Sequence, residues 1–201
     1  MANFSSSEDD EALVIDNSVV INLAAVQSAP RILRALRRRV VLPQPVIGEL
    51  ELAGQRGQLV LAVVDQWKRD DLVDVDALRE SAYPVFEQLI SGSVTDTLDD
   101  GEAATLAHAV DVSAVAVIDE QKAQRIAGQR FPSLRLASTA DVLLHVRVVD
   151  AIGQSAVGDA LFQALTGARM RVLPHNLTTV VGLLGPVRAA LCHSLPRGAR
   201  N

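Results

Sequence analysis

The sequence predicts an α/β protein, a three-layer α/β/α domain around a central parallel sheet, and two observations carry that expectation. Short apolar runs, Ala12 to Ile15 and Ala114 to Ile118, read as strands buried on both faces. Stretches of helical spacing separate them, and strands alternating with helices are the pattern of a parallel sheet covered on both sides.

In chain order, Ala12 to Ile15 is the first strand and ends at Asp16; Asp16, Asn17 or Ser18 then caps a helix reaching Val26. After Pro30 a second helix carries Arg31, Arg34, Arg37, Arg38 and Arg39 beside Ile32, Leu33 and Leu36, giving a basic face and an apolar stripe. Val40 to Leu42 is a second strand, and the prolines 43 and 45 introduce a helix over Val46 to Leu52 that carries Glu49 and Glu51. A helix over Gln58 to Lys68, a strand over Leu72 to Val75 and a helix over Ala77 to Ile90 with a break at Pro84 follow. The polar turn at Ser91 leads to Asp99 and Glu102 and a helix over Ala103 to Val110; the strand Ala114 to Ile118 ends at Asp119. A helix over Gln121 to Gln129, a short strand at Leu134 to Leu136 and a helix capped by Ser138 and Thr139 running to Ile152 complete the alternation. One or two helices reach Leu184, with Gly167 as a stop.

A chain of 201 residues with 49% apolar content buries the core of one domain. The lone Cys192 excludes an internal disulfide, and no CxxC or Cys/His cluster suggests zinc, so a reducing, cytoplasmic setting is the expectation. The acidic start, Met1 to Glu11, is the opposite of a secretory signal, and no apolar run is long enough to span a bilayer. With a net charge of −5, any nucleic-acid contact must come from a local basic patch. The arginines of the second helix are one such patch, or simply a solvated face.

In open parallel sheets ligands sit beyond the carboxyl ends of the strands, and here both of the best strands end in Asp, at Asp16 and Asp119. Glu49 and Glu102 near helix starts place four carboxylates at one rim. Two like charges about 4 Å apart repel by about 4 kcal/mol at an effective dielectric near 20, so such a site calls for a cation. Oxygen ligands without Cys or His favour Mg²⁺ or Mn²⁺, ions suited to phosphodiester hydrolysis. Each residue also has a plainer role: Asp16 and Asp119 as helix caps, Asp99 and Glu102 as a capping box, Glu49 as an exposed helix residue. The chemical reading rests on the four together.

Taken in order, these residues resemble the PIN-domain superfamily, in the prokaryotic branch with a Gly-Glu third motif. The stretch Val14 to Leu23 resembles its strand-Asp opening, and Leu42 to Leu50 its proline-led helix with Glu before Leu. Asp100-Gly101-Glu102 resembles the third motif, and Val117 to Ala127, with Asp119, Glu120 and Arg125, the fourth. Asn17, where the family commonly has a small or hydroxylated residue, and Gln124 before Arg125 are departures from the pattern. The resemblance covers Leu13 to Leu136. It implies a PIN-like catalytic domain over residues 12–137, to which composition and spacing add an acidic tail over 1–11, a helical extension over 138–190 and a frayed end over 191–201. It also implies a metal-dependent endoribonuclease for single-stranded RNA, in this family often the toxin of a toxin-antitoxin pair with a cognate antitoxin or other protein partner; the long C-terminal portion is the expected surface of a homodimer or a partner. Asp16, Glu49, Glu102 and Asp119 are then the catalytic metal ligands for Mg²⁺ or Mn²⁺. Ser18 and Glu120 support them, and Arg31, Arg34, Arg38 and Arg125 hold the RNA backbone.

Two alternatives remain open on the sequence. A PIN-like fold also serves as a non-catalytic nucleic-acid- or protein-binding module. A haloacid-dehalogenase-like phosphatase also begins with a strand ending in Asp, but it requires a second Asp where Ser18 stands. His108, His145 and His175 read as structural, and an aromatic-poor chain with Trp67 and Tyr83 offers no base-stacking platform.

Overall fold

A computed structural model describes residues 11–200, so the tail before Glu11 lies outside the described residues. Five short strands, β1 (Leu13–Ile15), β2 (Val40–Pro43), β3 (Asp74–Asp76), β4 (Val115–Val117) and β5 (Leu136–Ala137), form one sheet in the order β3-β2-β1-β4-β5. Every pairing is parallel, with Leu13 opposite both Val40 and Val115. The strand residues alternate between two apolar layers. Leu13, Ile15, Val40, Leu42, Val115 and Val117 face one core, while Val14, Val41, Ala116 and Ile118 face the other. Burial on both faces is why these runs are apolar without a polar beat.

One layer holds α1 (Asn17–Ala24), α2 (Ala29–Leu36), α3 (Gln44–Leu52) and α4 (Gly54–Arg69) together with the helices after β5. The other holds α5 (Tyr83–Ile90), α6 (Asp100–Asp111) and α7 (Gln121–Arg130). The α/β/α sandwich expected from the sequence is therefore present. In α6 the side chains of Ala103, Ala104, Ala107 and Ala109 are fully buried, and their small size lets the helix lie close against the sheet. That close seat carries Glu102, in its first turn, toward the carboxyl ends of the strands.

Several expected elements differ in detail. The helix expected up to Ile152 is two, α8 (Thr139–Leu143) and α9 (Val146–Ile152), because the His145 side chain accepts the Arg147 N–H and restarts the chain as a cap. Pro84 does not break its helix: it lies in the first turn of α5, where its missing N–H is not needed, and a 3-10 turn at Glu80–Ala82 precedes it. Gly167 does not stop the following α10 (Gln154–Gln163); a π-helical turn at Ala164–Ala168 passes through it and ends at Arg169 in the left-handed region, φ 61°. The last helix, α11 (Pro174–Leu191), kinks at Gly185, φ 70°, ahead of Pro186. Beyond it, where fraying was expected, Cys192 and Leu195 are buried in the same core as β1 and α1, because both are apolar enough to pack there. Among the described residues no helix is long and apolar enough to cross a membrane.

Candidate active site

The sheet order puts β2 on one side of β1 and β4 on the other, so the order in which strands are added reverses between β1 and β4 and leaves a crevice at their carboxyl ends. The crevice is about 450 Å³, and Asp16, Glu49, Glu102 and Asp119 all line it. Asp16 follows β1 directly, Asp119 follows β4 after Ile118, and both are only 3% exposed.

Each carboxylate is held differently. Asp16 Oδ2 accepts from the Ser18 N–H (3.1 Å) and Ser18 hydroxyl (2.8 Å), so Asp16 caps α1 while its other oxygen stays uncommitted. That Oδ1 is buried and has no hydrogen-bond partner among the described residues. Glu49 is fixed from both ends: Oε1 accepts from the Gly101 N–H at 2.6 Å and Oε2 from the Asn17 amide at 3.0 Å. A Cβ on Gly101 would lie 2.7 Å from the Glu49 carboxyl atoms, which is the physical reason a glycine precedes Glu102. Asp119 does not cap α7, whose cap is Glu120. Its Oδ1 accepts from the Thr139 N–H (2.7 Å) at the start of α8; its Oδ2 accepts from the Asn22 amide (2.6 Å) and Thr139 hydroxyl (2.5 Å).

The electrostatics follow from burial. Burial raises the Asp16 pKa above the usual carboxylate value, against the hydrogen bonds from Ser18. Burial, then the charges of Asp16 and Asp99, push Glu102 up to about 7. Asp119 is raised to about 6, again by burial, despite the hydrogen bonds from Thr139 and Asn22 that favour its ionised form. These carboxyls are strained as anions in the bare site. Among the described residues no three His, Cys, Asp or Glu side chains converge in ligating geometry, since Glu49 and Asp119 are turned onto protein donors. The buried, orphaned Asp16 Oδ1 is nevertheless an oxygen that a hard divalent cation would satisfy, and the donors around it are all oxygen.

The supporting residues divide. Ser18 and Glu120 line the crevice; Arg31, Arg34, Arg38 and Arg125 do not. Arg31 reaches the Ala151 carbonyl, and Arg125 bonds Gln129 and the Thr95 carbonyl. Arg39, from the same basic run, pairs with Asp74 and Asp76 beside the opposite, amino end of β2. The arginines of the crevice wall are instead Arg56, Arg169 and Arg171, and Arg171 pairs with Glu120 at 2.6 Å.

Sequence reasoning missed Asn22, Thr139 and the two arginines after α10. Asn22 left a legible signal, a polar side chain among Val19, Val20, Ile21 and Leu23 on a buried helix. Thr139 read only as a cap, because the position it occupies against Asp119 depends on the β4–β5 pairing. Asn17, which departs from the usual family residue, is the amide that holds Glu49.

Comparison with known proteins returns one finding: a family model described as a PIN domain matches residues 12–185. No curated protein and no solved structure matches the chain. The match runs from β1 into α11, past Leu136, where the resemblance read from the sequence ended, so the later helices are included in it. With a five-stranded parallel sheet, helices on both faces and acidic side chains at the switch point, the chain has a nuclease-type fold and belongs to the PIN-domain family.

Proposed function

We propose that this chain is a metal-dependent endoribonuclease that hydrolyses phosphodiester bonds in single-stranded RNA. The observation that carries this reading is the crevice at the β1/β4 switch point, lined by Asp16, Glu49, Glu102 and Asp119, with a buried Asp16 oxygen lacking any partner. Asp16 offers a free oxygen that would hold a cation, and Glu102, Glu49 and Asp119 would complete its surroundings with lone pairs left over from their hydrogen bonds. A bound Mg²⁺ or Mn²⁺ supplies Lewis-acid polarisation of the phosphate and a nucleophile at neutral pH. Ser18 fixes the rotamer of Asp16; Asn17 and Gly101 fix Glu49; Asn22 and Thr139 fix Asp119. Such restraint holds the reacting groups in place before substrate arrives. Among the described residues the crevice lining contains no aromatic side chain, so single-strand recognition rests on backbone charge and shape.

One observation favours the alternative of a non-catalytic binding module: both oxygens of Glu49 and of Asp119 are already hydrogen-bonded to protein donors. Cleavage of mixed single-stranded RNA by wild type and Asp16→Asn, in Mn²⁺ and in EDTA, separates the two. The nuclease reading expects cleavage that needs metal and disappears with Asp16→Asn; metal-dependent cleavage undiminished in Asp16→Asn, or no cleavage together with no metal binding, refutes it. A narrower role as a toxin kept in check by an antitoxin adds growth arrest on expression, relieved by the same substitution.

A further inference from the structure

The segment Arg169-Met170-Arg171, which joins the π-helical turn to α11, forms part of the crevice wall together with Arg56 of α4. Met170 is 1% exposed and its N–H donates to the Ala164 carbonyl at 3.1 Å, so the middle of the segment is pinned in the core. The two arginines on either side are exposed as a result. Arg169 sits at φ 61° as the left-handed residue that ends the π-helical turn. Arg56 and Arg169 make no hydrogen bond or ion pair among the described residues. Arg171 holds Glu120 at 2.6 Å, with side chains 70% and 37% exposed.

An acidic crevice repels a polyanion, so a phosphodiester chain needs fixed cations at the same rim. Arginine suits that task because its planar fork binds phosphate through two parallel N–H bonds. We propose that Arg169 and Arg171, with Arg56 on the α4 wall, are the site that holds the sugar-phosphate backbone of a single-stranded polynucleotide, and that Arg171 leaves Glu120 for a phosphate when the strand enters. The inference rests on the nuclease reading and gives it a substrate-binding surface. It also gives the helices after β5 a role, since they deliver both arginines to the carboxylates.

The test is equilibrium binding of a fluorescently labelled single-stranded RNA over a salt series in Mg²⁺, with Asp16→Asn as the parent so that the strand stays intact. Each phosphate contact on a single strand adds about 0.7 to the salt slope, so Arg169→Ala with Arg171→Ala lowers it by about 1.4 and weakens binding at least about tenfold. Arg31→Ala with Arg34→Ala on α2 changes neither. Arg171→Lys keeps the charge and recovers part of the loss, and Glu120→Gln, which releases Arg171, tightens binding about twofold to threefold. Unchanged affinity and slope in the Arg169/Arg171 double variant, or an equal loss from the α2 pair, overturns the inference while leaving the nuclease reading in place. Weaker binding in Glu120→Gln overturns the exchange of partners. A parent that binds no single-stranded RNA, when wild type also cleaves none, overturns both.

Discussion

Replacing Glu102 by Gln is expected to stabilise the metal-free protein at alkaline pH while destroying the site. The Glu102 pKa rises from 4.5 to about 7. At about 1.4 kcal/mol per unit, that shift corresponds to roughly 3 kcal/mol of penalty on the ionised form. Glu102 is partly exposed, and solvent screening reduces the figure to about 1–2 kcal/mol. A carboxyl raised in the folded state binds its proton more tightly there than in the unfolded chain. Its contribution is therefore fully present below the unfolded value near 4.5 and is lost as pH climbs through about 7. Urea unfolding in EDTA should show Glu102→Gln more stable than wild type by about 1–2 kcal/mol at pH 8, but only by a few tenths at pH 5. In a chain of this length the alkaline gain corresponds to a melting point higher by about 2–4 °C per kcal/mol. A variant less stable than wild type at pH 8, or a gain equal at both pH values, refutes the claim that Glu102 is held against its own charge.

Millimolar Mn²⁺ should raise the wild-type melting temperature, by about 2.7 kcal/mol of stability at a hundredfold excess over Kd, and more strongly at pH 8 than at pH 6, because metal must displace the proton on Glu102. No shift at either pH in differential scanning fluorimetry counts against the metal site. Gly101→Ala should leave stability within about 1 kcal/mol, since alanine favours helix, yet reduce metal-dependent cleavage at least about tenfold as the new Cβ expels the Glu49 carboxylate; full activity would show that Glu49 need not sit there. Thr139→Val removes one donor to Asp119. It should cost about 1–3 kcal/mol at pH 8, where Asp119 is ionised, and less at pH 5, below its value of about 6, where the carboxyl holds its own proton; a loss independent of pH argues against that hydrogen bond serving the anion.

The fold was legible because its signals are local. Leu13 to Ile15 and Val115 to Val117 are apolar on both faces, and no other element type explains so short an unbroken run between helices. What could not be read were the restarts and stops after β5. The split between α8 and α9 depends on the His145 side chain meeting one backbone N–H, and the π-helical turn past Gly167 depends on packing of Ala164 and Leu165 that no periodicity encodes.

The candidate site divides along the same line. Asp16 and Asp119 stand within two residues of their strand ends, and a parallel sheet sends every strand end to one edge, so their meeting follows from topology. The groups that set their chemistry arrive from far along the chain: Thr139 reaches Asp119 across 20 residues and Asn22 across 97. The basic patches show the limit most clearly. Arg31 and Arg34 crowd a short helix and draw attention by density, but a helix whose Ile32, Leu33 and Leu36 are buried must turn its charges away from the core, and their direction is set by what α2 packs on. Arg169 and Arg171 look unremarkable in sequence; Met170 between them is buried, and both line the crevice. Density of charge records composition, whereas the position of charge is decided by the apolar residue that anchors it. Around Met170 that anchoring shows as the alternation exposed, buried, exposed at residues 169 to 171.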